Sequence, residues 1–119
     1  MTKTRVVPRR STASAAGFGA DIEIASTLRS RLRGLLGKRA TRRPLLITPC
    51  QDIHTFGMKK PIDVAFFDKR GCCIYAERKV GRRRRIRQPR AVSVMERFSK
   101  EGPWFSEGER YRCCFIKRD

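Results

Sequence analysis

The spacing of apolar and polar positions predicts a strand followed by a helix at the start of the folded region. Residues 21–25 alternate polar and apolar side chains, which is typical of a half-buried strand. Ser26 or Thr27 can cap a helix after it, and Gly37 is suited to end that helix. Between these positions one apolar stripe recurs at helical spacing, formed by Leu28, Leu32, Leu35 and Leu36. We therefore predict one N-terminal amphipathic helix.

The chain beyond the helix has the pattern of a β-sheet. Short apolar or alternating runs, separated by turn residues, occupy residues 45–47, 53–58, 63–67, 72–79, 92–98 and 110–116. Residues 68–71 have the composition of a turn, so the runs on either side of it are predicted to form a hairpin. The predicted fold class is α+β and mainly β: a small curled antiparallel sheet or partly closed barrel with the one helix. At 119 residues, the chain has room for a single domain, which we place at residues 20–119.

Charge sets two parts of the chain apart. Residues 1–19 lack periodicity and contain basic but no acidic side chains, which predicts a disordered basic arm. The whole chain has 29 Lys and Arg against 11 Asp and Glu, a net charge of +18. Such a surplus attracts polyanions such as nucleic acid, although it can also serve solubility alone.

The basic surplus is densest in residues 81–90, which we call the Arg-rich loop. Guanidinium groups bind phosphate in a bidentate manner and stack on bases, so this loop is a candidate anion-binding segment. It contains no interleaved aromatic residues, which argues against sequence-specific recognition. A solvated loop without a ligand is the alternative. The candidate anion-binding residues are Arg82, Arg83, Arg84, Arg85 and Arg87.

A thiol, a carboxylate and the chain's one imidazole lie close together in the sequence. In an extended segment, Cys50, Asp52 and His54 share one face, because side chains alternate with period two. A thiol, an imidazole and a carboxylate can serve as the nucleophile, the base and the orienting group of a catalytic site. Same-face neighbours on a straight strand are roughly 6.6 Å apart, so catalysis would require a bend at Pro49 or Gly57.

The same face suggests two further interpretations. Cys50 and His54, with Met58, suit a soft ion such as Cu(I) better than Mg²⁺ or Ca²⁺. Alternatively, His54 is only hydrogen-bonded at the mouth of a barrel. No cofactor is predicted.

Three polar residues are candidates for a cleft or for structural pairing: Asp63, Glu96 and Arg33. Asp63 lies between Ile62 and Val64 in a strongly apolar strand, where an unpaired buried charge would be costly. Structural pairing is therefore favoured over catalysis for Asp63 and Glu96. The candidate partners of Asp63 are Arg29, Arg31, Arg33 and Lys59.

The cysteines indicate a reducing compartment. There are five, an odd number, and four of them form the vicinal pairs Cys72–Cys73 and Cys113–Cys114. Vicinal residues on a strand face opposite sides, so reduced thiols are expected. With no recognisable signal peptide and no apolar run long enough for a membrane span, we predict a cytoplasmic location.

Several motifs together resemble a known family, named domain of unknown function 192. They are the helix motif at residues 29–37, the run MKKPIDVAFFD at residues 58–68, and AVSVME at residues 91–96. The resemblance covers about residues 21–116 and implies a compact, mainly β domain without any catalytic assignment. Two positions depart from the family pattern: Gly57 replaces the aromatic that usually precedes Met58, and the Arg-rich loop is unusually basic.

The sequence thus predicts an uncharacterised small binding or accessory domain. Its Arg-rich loop would contact nucleic acid or another polyanion without sequence specificity. An enzyme or soft-metal protein using Cys50, Asp52 and His54 is the alternative, and a non-enzyme is favoured.

Overall fold

A computed structural model of the protein describes residues 2–8, 20–25 and 43–117. These parts of the chain are mainly β and contain nine strands. The strands are β1 (Thr2–Pro8), β2 (Ala20–Ala25), β3 (Leu45–Ile47), β4 (Asp52–His54), β5 (Ile62–Phe67), β6 (Cys73–Val80), β7 (Arg85–Arg87), β8 (Ser93–Phe98) and β9 (Tyr111–Lys117).

Two predictions concern the N-terminal region: the amphipathic helix and the disordered arm. The predicted helix falls on residues outside the described parts of the chain, as do Arg29, Arg31 and Arg33. Residues 2–8 of the predicted disordered arm form β1, which pairs with β2 and β9 in antiparallel register. Most residue pairs of β1 are with β9, at the other end of the chain. A local sequence pattern does not reveal pairing between segments so far apart. Residues 9–19 lie outside the described parts.

Seven strands form one sheet in the order β6-β5-β8-β3-β2-β1-β9, and β4 and β7 form a separate pair. The predicted hairpin is confirmed as β5–β6. The predicted antiparallel sheet needs one correction, since β2 and β3 run parallel.

The two edges of the large sheet meet without closing it into a barrel. Cys72 and Arg110 form one isolated antiparallel bridge, and the Tyr111 amide donates to the Gly71 carbonyl at 2.8 Å. Gly71 has φ +80°, and a Cβ there would lie 2.3 Å from the Tyr111 carbonyl oxygen. Only glycine fits this close approach.

Strand β5 is buried on both faces, and each face belongs to a different core. Val64 and Phe66 pack with residues of the β4–β7 pair, including Ile53 and Ile86. Ala65 and Phe67 pack in the second core on the opposite face, which also contains Trp104, Phe105 and Tyr111. The β4–β7 pair is therefore a layer on one face of the sheet, and its own outer face carries Asp52, His54, Arg85 and Arg87.

Within the described ranges, no helix has the length and apolar character to cross a membrane.

Candidate anion-binding site

Two of the candidate arginines are held by carboxylates of neighbouring strands. Arg84 donates from both terminal nitrogens to Glu77, at 2.9 and 3.1 Å. Arg85 donates to both oxygens of Asp52, through Nε at 3.1 Å and through Nη2. These hydrogen bonds are the main reason that the pKa values of Glu77 and Asp52 lie below their ordinary range. Bidentate pairs of this kind fix guanidinium direction as well as position.

A buried threonine fastens the Arg-rich loop to the segment that follows β4. Thr55 Oγ donates to the Gly81 carbonyl at 2.7 Å and accepts from the Arg84 amide at 2.8 Å. The Thr55 amide also donates to the Arg84 carbonyl at 2.8 Å. Thr55 is almost fully buried, so these bonds are shielded from water. The start of the loop is therefore an ordered turn attached to the protein at three points.

The other three candidate arginines point into solvent. Arg82, Arg83 and Arg87 are exposed, and their side chains make no hydrogen bond or ion pair with the residues that the structure describes. Arg83 has φ +57°, a left-handed conformation that most residues adopt only at a cost. The predicted set thus divides into two guanidiniums that are already paired and three that are available to a ligand.

An aromatic residue that the sequence prediction missed stands beside the loop. The Met58 amide donates to the Thr55 carbonyl at 3.0 Å, which closes a turn over residues 55–58. Gly57 has φ +86° at the third position of this turn, the requirement of a type II turn. Phe56, at the second position, is 51% exposed, and its ring centroid lies 5.7 Å from that of His54.

In the described parts, no hydrogen bond joins the side chains of Cys50, Asp52 and His54 to one another, and their catalytic role stays a prediction. The Cys50 thiol donates to the Asp52 backbone carbonyl at 3.2 Å and packs partly against the first core. The Asp52 carboxylate is engaged by Arg85, and the His54 ring lies against Phe56. The three side chains share a segment, but their observed contacts lead in different directions.

The structure bears on the soft-metal interpretation only in part. Among the residues that the structure describes, no group of three or more His, Cys, Asp or Glu side chains is arranged to hold an ion. Met58 is not one of those ligand types, so a site formed by Cys50, His54 and Met58 stays a prediction.

Asp63 has a structural role, with partners other than those predicted. Its carboxylate accepts from Arg97 Nε at 2.8 Å and from the Lys79 amide at 3.0 Å. Burial alone would raise the pKa of Asp63, but the hydrogen bonds from Lys79, Arg97 and Ser99 outweigh it and the pKa is lowered. The prediction of Lys59 as a partner is wrong, because Asp63 pairs directly across the sheet with Arg97.

The Asp63 carboxylate also stabilises an irregularity in β6. Ile62 pairs with Val80 and Val64 with Glu77, so that one extra residue of β6 faces Asp63. Lys79 has φ +55° there, and its amide turns toward the carboxylate instead of toward a strand partner.

Trp104 covers the Asp63–Arg97 pair. The Arg97 guanidinium carbon lies 4.4 Å from the Trp104 ring centroid, within cation–π distance. Trp104 Nε1 donates to the Val64 carbonyl at 2.9 Å, which fixes the indole ring over the sheet. The Asp63 and Arg97 side chains are consequently almost completely buried.

Glu96 is buried on the opposite face of the sheet. It pairs in register with Val64 and with Leu45, both apolar. No hydrogen bond or ion pair joins its carboxyl to any of the described residues, and burial raises its pKa to about 7. Its sequence neighbour Arg97 cannot reach it, because consecutive strand residues face opposite sides.

Two solved structures share the fold. A protein from Sinorhizobium meliloti, described as a "putative transcription regulator", matches with TM-score 0.72 and 17% identity over 95% of this chain and 94% of its own. A protein of unknown function from Novosphingobium aromaticivorans matches with TM-score 0.65 and 12% identity, over 92% and 83% of the two chains. No curated protein matches.

The family is identified from the sequence match. The model of domain of unknown function 192, described as an uncharacterised ACR, matches residues 10–99. That match includes the predicted helix, the run at residues 58–68 and the Arg-rich loop. This chain belongs to the domain of unknown function 192 family.

Proposed function

We propose that this protein is a small accessory domain that binds an anionic polymer through its Arg-rich loop. The observation that carries the proposal is the division of the loop arginines. Arg84 and Arg85 are paired with Glu77 and Asp52 and anchor the loop. Arg82, Arg83 and Arg87 are left exposed and without an ion pair in the described parts.

An ordered loop binds an anion at lower cost than a mobile one. A mobile loop loses conformational entropy when a ligand fixes it, and that loss is subtracted from the binding energy. Here the loop is already held by Thr55 and by two ion pairs. Its free guanidiniums therefore meet a phosphate or sulfate chain with little reordering of the backbone.

Further cations extend the same region. Lys59 and Lys60 follow the turn of residues 55–58, and Arg90 ends the loop; all three are exposed. Charges arranged along a surface release bound counterions from a polyanion, which gives affinity without dependence on sequence.

The test removes two free guanidiniums and compares the result with the removal of two cations elsewhere. In the variant Arg82→Ser/Arg83→Asn, asparagine is chosen because it tolerates the left-handed conformation at residue 83. Lys69→Ser/Arg70→Ser is the matched control, since both residues are exposed in the turn at the other end of the β5–β6 hairpin.

Fluorescence anisotropy with labelled heparin and with a mixed-sequence oligonucleotide measures the affinities. We expect the loop variant to bind both probes more weakly than the control variant, although the two have lost equal charge. Equal affinities of the two variants would show that net charge, not the loop, attracts the polymer, and would contradict the proposal.

A further inference from the structure

An exposed aromatic ring stands on the same rigid unit as the free arginines. Phe56 is one of three exposed large hydrophobic residues among those described; the others, Ile24 and Val92, belong to other segments of the chain. No other exposed large hydrophobic residue lies in the described segment that joins β4 to β5. A ring held in solvent on a tight turn suits contact with a single planar group.

The position of Phe56 relative to the loop is fixed by backbone and side-chain hydrogen bonds. Thr55 directly precedes Phe56. Its hydroxyl group is hydrogen-bonded to Gly81 and to Arg84, the residues on either side of Arg82 and Arg83. On the same face, His54 lies opposite Arg85 in the β4–β7 register. His54 also contacts the Phe56 ring on one side, with the two ring planes inclined at 42°.

We propose that Phe56 is a base-stacking platform and that the anionic partner is a single-stranded nucleic acid. This inference rests on the proposed function and assigns the polymer. A base would stack on the open side of the Phe56 ring, with His54 supporting the ring from behind. The phosphates on either side of that base would contact Arg82 and Arg83.

A single strand fits this arrangement better than the other polyanions. Proteins that bind single strands combine a basic track with aromatic rings on which bases stack, and any base can stack. Duplex bases are already stacked on their neighbours and do not expose a face to a ring. Heparin has no aromatic group that could stack on the ring, and membrane binding through an apolar surface requires a larger patch than one ring.

The side chains involved are too far apart in sequence to form an obvious motif. Phe56 and Arg82 are joined only by the β4–β7 pairing and by Thr55. The aromatic interleaving that the loop sequence lacks is supplied from another part of the chain.

The test uses the full chain and three substitutions of Phe56. Phe56→Leu keeps an apolar side chain without a π face, Phe56→Ala removes the side chain, and Phe56→Trp retains the stacking surface. The probes are labelled oligothymidylate, a duplex of equal length, heparin, and vesicles of phosphatidylcholine with phosphatidylserine. Thermal unfolding of each variant shows whether the fold is retained, and Phe56→Trp tests the site if Phe56→Ala alone is unstable.

We expect Phe56→Leu and Phe56→Ala to bind oligothymidylate about 5-fold or more weakly than wild type, as loss of one stacking contact requires. Phe56→Trp should bind as tightly as wild type or more tightly, and affinity for duplex and heparin should be the same in all forms.

Three results would overturn the assignment. Undiminished binding of oligothymidylate by Phe56→Leu would exclude stacking, and an equal loss for duplex and heparin would show a general effect. Vesicle binding that exceeds oligothymidylate binding and survives in Phe56→Leu would identify a lipid surface instead. In each case the affinity of the Arg82→Ser/Arg83→Asn variant separates the two proposals. If it binds the polyanions more weakly than Lys69→Ser/Arg70→Ser, the broader polyanion proposal stands. If the two variants bind equally, both the polyanion proposal and the stacking proposal are refuted.

Discussion

The protein uses carboxylate–arginine pairs in two regions for two different purposes. The Asp63–Arg97 pair is buried between strands β5 and β8 and covered by Trp104. The Asp52–Arg85 pair lies on the outer face of the β4–β7 layer, where 67% of the Arg85 side chain is exposed. Both pairs have good hydrogen-bond geometry, so their environment decides what each contributes.

The difference follows from solvation. Water screens the exposed pair and solvates either partner if the other is removed, so such pairs add little stability. The buried pair has no water to replace a lost partner, and a charge left alone there is costly. We infer that the buried pair fixes β5, β8 and the irregular end of β6 in register. The exposed pairs orient the loop and leave its remaining cations free.

The largest expected effect comes from breaking the buried pair. Asp63→Asn keeps the shape of the side chain but removes the negative charge that faces Arg97, and should lower the free energy of unfolding by about 3 to 5 kcal/mol. Urea unfolding measures the loss. Removing both charges, in Asp63→Asn/Arg97→Gln, should be less harmful than the sum of the single changes. A double variant as unstable as that sum would show that the two charges are not coupled.

Glu96, the buried carboxyl without a described partner, should make the free energy of unfolding depend on pH. The pKa of Glu96 is about 7 in the folded protein, against an ordinary value of 4.5. Between these values the unfolded chain loses the proton first, so the contribution of Glu96 to stability is present below pH 4.5 and declines up to about pH 7.

Glu96→Gln removes this dependence because the amide does not titrate. Relative to wild type, the variant should gain about 3 kcal/mol of unfolding free energy between pH 4 and pH 8. Urea unfolding at several pH values measures the difference. A difference that is constant with pH would mean that Glu96 is solvated or paired.

The smallest effect on stability is expected at the exposed pair. Asp52→Asn should leave the urea midpoint close to that of wild type, because water solvates the released Arg85. Affinity for heparin should rise, since a negative charge is lost and a guanidinium is freed. A stability loss comparable to that of Asp63→Asn would contradict the contrast between the two regions.

The sequence predicts the central hairpin well and its ion pair poorly. The apolar run of residues 63–67 and the turn composition of residues 68–71 are local, so they show the hairpin directly. Asp63 was recognised as a residue needing a partner, but Arg97 is 34 positions away. Only the strand register brings the two together, and register is not visible in a single sequence.

The candidate site shows the same limit. The loop arginines are conspicuous in the sequence, but the carboxylates that hold Arg84 and Arg85 belong to other strands. Phe56 is not among the site residues that the sequence predicts. Its place beside the loop depends on β4–β7 pairing, which joins segments too short to be paired from their pattern.

The salt dependence of oligonucleotide binding tests the central claim most directly. Each guanidinium that contacts a phosphate of a single strand contributes a slope of about −0.7 to the plot of log affinity against log salt concentration. Arg82→Ser/Arg83→Asn should therefore flatten the slope by about 1.4, while Lys69→Ser/Arg70→Ser should leave it as in wild type. Parallel lines for wild type and the loop variant would contradict the account.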